Sequence, residues 1–529
     1  MTIIILLVSA VILLCVLAEK FSGKFGMPAL ILFMFVGILF GSDGILKIPF
    51  DDYARAEEIC SIALIFIMFY GGFNLKWKLA SPIAVKASLL STIGVFLTAI
   101  ITAVLCNCIL KYSLAESFLI GAVLSSTDAA SVFSILRHKK LNLKDGTASL
   151  LEMESGSNDP MAYMLTLVAI SIVNGSDTGN IPLQIFLQIF FGLVIGAVFA
   201  FISIWLQTKT NLVSDGIDTI FMIAMVLLCY GLTQIAGGNS YLSVYLMGII
   251  IGNSKIKNKA TLIPFFDGVT GLAQILIFFL LGLLSFPHKM PQIISIAIAV
   301  TLFLTLIARP LSVFLLLKPF RCNTRQCLLI SWAGLRGASS SVFAIMAIAG
   351  GVATSHDLFH IVFMVSLFSV AVQGTLLPKI AKKLDMIDDN LDVRKTFNDY
   401  QEESAITLMR MFIPEGHNWV NKTIKEVNVP TGSLAIMIKR GGETIITKGD
   451  TKILAGDNVI LSVPAYEPND REKLEEIHID RNHVWCNKPI CELNLLPTEL
   501  IAMIIRGNEN LIPDGNTVIL ENDTVVTYR

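Results

Sequence analysis

About thirteen apolar stretches, parted by short polar or charged loops, fill the chain up to Pro378, where the long apolar runs stop. They fall near Thr2–Leu17, Pro28–Leu46, Ile59–Asn74, Ile83–Cys106, Ala115–Leu136, Leu150–Val173 and Pro182–Leu206. The others lie near Ile217–Ile235, Tyr241–Gly252, Gly268–Phe286, Ile293–Leu317, Cys327–Gly350 and Leu358–Leu377. A helix needs about 20 apolar residues to cross a bilayer. The pattern therefore predicts a polytopic α-helical membrane protein with about thirteen transmembrane helices. The first window lacks a basic leader and a small-residue cleavage site, so it is expected to be retained as a helix.

Loop charge orients these spans. The loops on one side carry the basic clusters Lys76–Lys86, Arg137–Lys144, Lys255–Lys259 and Lys318–Arg325, whereas the other side carries Lys47, Arg55, Lys111 and Lys289. The positive-inside rule puts the first side in the cytosol, the N-terminus outside and the C-terminal tail inside. Composition agrees: 54% of the residues are hydrophobic, 15% are charged, and mean hydropathy is +0.70, where soluble chains hold about 25% charge. The nine cysteines are scattered without zinc spacing, so they are read as structural. No cofactor and no nucleic-acid partner is expected.

Beyond the membrane region the chain repeats itself. Trp419 and Trp485, Arg440 and Arg506, Gly449 and Gly515, and Asp457 and Asp523 are each 66 residues apart, and the two copies align without a gap. Alternating β-rich runs and Arg-Gly turns predict two small α/β modules in tandem. The expected division is 1–380 for the membrane domain, 381–405 for a linker, and 406–476 and 477–529 for the modules. The modules resemble the TrkA-C type of C-terminal regulatory domain. That resemblance implies dimerisation and a small regulatory ligand, a cyclic dinucleotide or another nucleotide. A purely dimerising or stabilising role is the alternative. No GxGxxG follows a strand in the tail, so the dinucleotide-binding half of such regulators is missing.

The chemistry lies in carboxylates inside the apolar segments, where each costs about 2.5–3.5 kcal/mol unless it pairs or lines an ion path. Ser125-Ser126-Thr127-Asp128 is a helix-start signature that interrupts a span. A break there would expose backbone groups, with Asp128 offsetting the positive half-helix end and Thr127 adding an oxygen for a cation. Asp159 precedes Pro160, which removes a helix donor. Burial disfavours the ionised carboxylate, so Asp159 is expected to hold either a proton or a cation, never both. Asn158 beside it is uncharged, so exchange should be one for one and electroneutral, and Ser155 adds a further oxygen suited to an alkali cation.

Glu154 needs a partner, and Arg336 in WAGLRGASSS offers one, bracketed by Gly334 and Gly337 that permit a second broken helix. Spans five and twelve are then seven apart, the spacing of six-helix units repeated with inverted topology. Arg309, before Pro310, is a further intramembrane charge, either paired or interfacial.

Together S-S-T-D, E-S-G-S-N-D-P and G-L-R-G-A resemble the NhaP branch of the cation:proton antiporters, over the whole membrane domain. The resemblance implies a homodimer moving by alternating access. It also implies that Asp159 is the transport carboxylate, with Thr127, Asp128 and Ser155 around the ion and Glu154 paired with Arg336. The tail favours the potassium/proton subgroup, with a sodium/proton exporter as the alternative. No GxxxxGK[ST] motif is present, so transport is expected to be secondary and not enzymatic. A tail-gated channel would need a carbonyl filter such as TVGYG, which the sequence lacks. A sensor that keeps the transporter fold only to hold its tail is the remaining class.

Overall fold

The computed structural model describes residues 2–25, 28–128, 131–132, 135–136, 141, 143–175, 180–209, 217–256, 258–352, 354–387, 406–427, 429, 433–440, 443–464, 474–480, 483, 485–493, 500–506, 509–511, 513–521 and 523–528. The chain divides into Met1–Gln401 and Glu402–Arg529.

In the first unit the apolar runs become helices α1 (Thr2–Phe25), α2 (Ala29–Phe40), α3 (Tyr53–Asn74), α4 (Ser81–Cys108) and α5 (Leu114–Val123). There follow α6 (Thr147–Val173), α7 (Ile181–Lys209), α8 (Asp218–Ile235), α9 (Ser240–Gly252) and α10 (Lys259–Leu283). The last are α11 (Pro287–Phe320), α12 (Thr324–Trp332), α13 (Ala338–Ala349) and α14 (Leu358–Lys383). Among the described residues eight helices are long and apolar enough to cross a membrane, and α2, α5, α9 and α13 are shorter apolar helices. Helix α6 has 27 residues and so the length to cross, but its first half carries Glu152, Glu154 and Asp159.

Polar side chains fix where several helices start. Ser113 accepts the Glu116 N–H at 3.2 Å to open α5, and Asn239 accepts the Leu242 N–H at 3.0 Å to open α9. Each supplies a partner that the first turn lacks. Helices α2 and α10 meet through Gly37 and Gly282: a Cβ at Gly37 would sit 2.1 Å from the Phe279 carbonyl oxygen. Such contact lets backbones pack where lipid gives no hydrophobic drive between helices. In the best spanning windows of α1 and α7, by contrast, only 17% of the residues are buried, so both turn apolar surface outward.

Among the described residues three π-helical segments interrupt the long helices, at Leu90–Gly94 in α4, Leu304–Ala308 in α11 and Ser369–Gly374 in α14. The first unit also runs beyond the expected limit of 380. Helix α14 reaches Lys383, Asp385 bonds to Lys144 at 2.9 Å, and Ile387 bridges Leu143.

Among the described residues the second unit holds two four-stranded sheets. The first contains β1 (Ile406–Phe412), β2 (Leu434–Arg440), β3 (Glu443–Ile446) and β4 (Asn458–Pro464) in the order β1-β4-β2-β3, all pairs antiparallel. The second contains β5 (Leu474–His478), β6 (Leu500–Arg506), β7 (Glu509–Leu511) and β8 (Thr524–Tyr528) in the order β5-β8-β6-β7. Register shifts fall between Ala435 and Met437 and between Ile501 and Met503, 66 residues apart like the sequence repeat. The second copy thus begins by Leu474, three residues before the expected boundary at 477.

Each copy is locked by the Arg and Asp that the repeat preserves. Asp457 is fully buried and accepts from Arg440 Nε and Nη2, both at 2.7 Å, and from the Leu454 N–H at 2.8 Å. Asp523 repeats this with Arg506 and the Leu520 N–H. Burial alone would raise the Asp457 carboxyl, but the bonds from Arg440 and Leu454 outweigh it and hold the group below the usual carboxylate range.

Candidate functional site

Helix α5 ends at Val123, and residues 124–128 leave helical geometry. The second break spans 333–337, between α12 and α13. The two breaks are hydrogen-bonded to each other. The Asp128 N–H donates to the Leu335 carbonyl at 2.8 Å, and Arg336 Nη1 donates to the Ser125 and Ser126 carbonyls at 2.8 and 2.6 Å. One guanidinium thus satisfies two carbonyls that the first break strips of helix partners, as buried backbone must be satisfied away from water. Gly337 gives the close approach its room: a Cβ would lie 2.6 Å from Asp128 Cβ, so the first break would have to shift.

Asp128 acts as a cap on the C-terminal side of the first break. Its Oδ2 accepts from Ser131 Oγ at 2.6 Å and its Oδ1 from the Ser131 N–H at 3.3 Å. That is the capping role the Ser-Ser-Thr-Asp pattern predicts.

Helix α6 brings the other residues against the first break. Ser155 Oγ donates to the Thr127 carbonyl at 2.5 Å, and Asn158 Nδ2 donates to Thr127 Oγ1. Asp159, 5% exposed, has both oxygens engaged: Ser126 Oγ donates to Oδ1, and Ser339 Oγ donates to Oδ2 at 2.6 Å. Pro160 leaves α6 continuous, and Asn239 Nδ2 donates to its carbonyl at 2.7 Å. Thr127, Ser155, Asn158 and Asp159 therefore form one connected cluster, with Asp128 on the same break. Asn158 Oδ1 is buried with no hydrogen-bond partner among the described residues.

The expected Glu154–Arg336 pair is not formed. Glu154 Oε2 accepts instead from Arg309 Nη2 at 2.6 Å, and the two side chains are 1% and 2% exposed. The reason is geometric. The Arg336 guanidinium is taken up by the Ser125 and Ser126 carbonyls, while Arg309 passes close to Gly334, where a Cβ would lie 2.8 Å from Arg309 Nε. Arg309, left open between pairing and interface by the sequence, is a buried pairing residue.

Sequence reasoning also assigned nothing to Ser126, Ser339, Ser369 or Gln373. The Arg336 N–H donates to Ser369 Oγ at 2.9 Å, Ser369 Oγ donates to Gln373 Oε1, and Gln373 Nε2 donates to Thr305 Oγ1 at 2.7 Å. This chain ties the second break to the π-helical segments of α11 and α14, and such segments often mark functional positions. Hydroxyls within a residue or two of a break were the available signal: Ser126 precedes Thr127-Asp128, and Ser339 follows Arg336-Gly337-Ala338.

Over residues 8–383 the chain matches the sodium/hydrogen exchanger transmembrane family, and over 408–465 the TrkA-C domain. The chain belongs to the sodium/hydrogen exchanger family. It is, by that membership, a cation/proton antiporter of the membrane. Among its relatives, the K(+)/H(+) antiporter NhaP of Alkalimonas amylolytica is 30% identical over 86% of this chain and 80% of the relative. The K(+)/H(+) antiporter NhaP2 of Shewanella oneidensis is 31% identical, covering 84% of this chain and 78% of the relative. The sodium proton antiporter MjNhaP1 of Methanocaldococcus jannaschii shares the fold, with a TM-score of 0.63 and 23% identity over 72% of this chain and 99% of that one.

Proposed function

We propose that this exchanger moves one monovalent cation, K+ in preference to Na+, against one proton by alternating access, with Asp159 as the exchanging carboxylate. Thr127, Asp128, Ser155 and Asn158 build the oxygen-rich surroundings of the ion, which suits a hard alkali cation. The observation that carries this reading is the charge balance at the crossed breaks. Glu154 is paired with Arg309, whereas both oxygens of Asp159 accept from neutral hydroxyls and Arg336 spends its guanidinium on backbone carbonyls. The negative charge of Asp159 is left over, which one proton or one monovalent cation neutralises. The K+ preference rests on the relatives of 30–31% identity, which are K(+)/H(+) antiporters, against a Na(+)/H(+) antiporter of Aphanothece halophytica at 24%.

The test is proton movement in proteoliposomes driven in turn by K+, Na+ and Rb+ gradients. K+ and Rb+ are expected to drive it at lower concentrations than Na+, and imposing a membrane potential should leave the rate unchanged. A steep voltage dependence would point to a second titrating group and reject one-for-one exchange.

In the same reading the protein is a homodimer in the cytoplasmic membrane, with its N-terminus outside and its tail in the cytosol. The tail regulates and does not transport. It binds a small cytosolic ligand, a cyclic dinucleotide foremost, whose effect is limited to its differential affinity for two tail arrangements. Removing the tail after Ile387 keeps the Asp385–Lys144 pair and the Ile387 bridge to Leu143. That truncation should still exchange ions but lose its response to the cytosolic signal. A folded, inserted truncation without exchange would make the tail part of the working mechanism.

A further inference from the structure

The three serines just beyond the second break have no part in the ion site proposed so far, and each has a different partner. Ser341 Oγ donates to the Gly337 carbonyl at the edge of the break at 3.3 Å and lies 3.3 Å from Ser366 Oγ. Ser340 Oγ reaches the Ser126 carbonyl at 3.4 Å. Ser339 alone of the three reaches Asp159, at 2.6 Å. It sits in the first turn of α13, a 12-residue helix, and is buried. We propose that Ser339 is a specificity-determining residue of the exchange site, the hydroxyl through which the second broken helix bears on the choice between cation and proton at Asp159. This rests on the reading of Asp159 as the exchanging carboxylate.

The argument is one of donors and lone pairs. A carboxylate that accepts from two hydroxyls, Ser126 on one oxygen and Ser339 on the other, is arranged as the ionised form, because hydrogen bonds to the charged form favour it. A serine oxygen that gives its hydrogen to Asp159 still has lone pairs to offer a cation, since a hydroxyl is one donor and two acceptors. When Asp159 takes up a proton, its own O–H becomes a donor, and one of the two hydroxyls must turn to accept it. The same two serines can thus serve both loaded states by rotating about one bond each.

The two differ in what holds them. Ser126 lies in the first break, beside the Arg336-bound carbonyls, whereas Ser339 is delivered by the opposite half-helix. Ser339 therefore contributes only when the crossed breaks are in register. The charged and titratable groups that bear on the carboxylate are Asp128 on the first break, Glu154 on its own helix and Tyr245 on α9, while Arg336 of the second break bonds the carbonyl of Ser126, whose hydroxyl the carboxylate accepts. Its two oxygens accept from neutral hydroxyls, so a hydroxyl lost from this pair falls directly on the carboxylate.

The experiment compares Ser339→Ala and Ser339→Thr with the unaltered protein in proteoliposomes, reading half-saturating K+, maximal rate and K+/Na+ preference at several pH values. A hydrogen bond to a charged group is strong enough that Ser339→Ala should raise half-saturating K+ by about tenfold. The rise should grow as pH falls, because the proton competes for the same group, and the maximal rate should change little. Ser339→Thr, which keeps the hydroxyl, should restore half-saturation to near the original value. Unchanged half-saturation in a folded Ser339→Ala protein overturns the proposal, as does a Ser339→Thr protein that is folded but as weak as the alanine variant. Asp159→Asn run alongside separates the two readings. If it still exchanges, the carboxylate assignment itself is wrong; if it is dead while Ser339→Ala is unaltered, only the serine inference fails.

Discussion

Asp159→Asn is expected to reduce cation-driven proton movement to background while the protein remains folded and inserted. Asparagine has nearly the shape of aspartate. Its amide oxygen can still accept from Ser126, and its amide N–H can donate to Ser339 Oγ in place of accepting from it, so the cluster keeps its bonds. What disappears is the one group able to exchange a proton for a cation, and with it the uncompensated charge that attracts the ion. Stability should hold or rise, since an ionised carboxylate that is 5% exposed carries a desolvation cost that the amide avoids. Thermal unfolding in detergent and flux in vesicles, measured on one preparation, check both halves. Flux near that of the unaltered protein would remove Asp159 from the mechanism.

The cluster that this prediction rests on was legible in the sequence because its members are out of place in hydrocarbon. Ser125 to Asp128 and Glu154 to Asp159 interrupt apolar runs, and Gly-Leu-Arg-Gly marks the second break with the two residues a break requires. Polar residues that cost free energy announce themselves by position alone. The tail was legible for a different reason. A strict 66-residue offset carries strand register and the Arg440–Asp457 and Arg506–Asp523 locks together, since each copy must solve the same packing problem.

What was hidden depends on rotation about helix axes. Whether Glu154 meets Arg309 or Arg336 turns on how deep and at what angle α11 sits, and an apolar run such as Ile293–Leu317 encodes neither. The π-helical segment at Leu304–Ala308, just before Arg309, shifts the side chains after it around the axis; Pro310 marks an interrupted ladder there but not the direction in which Arg309 is turned. Ser339 was hidden likewise. Three consecutive serines at a helix start read as generic capping or packing residues, and only the crossing geometry singles out the one that touches Asp159.

The pairing of Glu154 with Arg309 carries the largest expected effect on stability. The two side chains are almost wholly buried and joined by one short contact of 2.6 Å. Removing either partner leaves a charge in the interior without compensation, which typically costs about 3–5 kcal/mol. Glu154→Ala and Arg309→Ala should therefore each lower thermal stability sharply. The double change should be far less than additive, with a coupling above about 1 kcal/mol, as expected for groups in contact. The pair is also incompletely satisfied: Glu154 Oε1 and Arg309 Nε have no hydrogen-bond partner among the described residues. Replacing both with apolar residues of similar size, Glu154→Leu with Arg309→Met, should then cost much less than either single loss, because two unpaired polar atoms leave the interior together. The same cycle run on Glu154 with Arg336 discriminates between the two partners. Arg336 spends its guanidinium on the Ser125 and Ser126 carbonyls, so its alanine variant should lose stability through the break and couple to Glu154 more weakly. A coupling to Arg336 equal to or greater than that to Arg309 would restore the pairing expected from sequence and show that Arg309 is held in place by other groups.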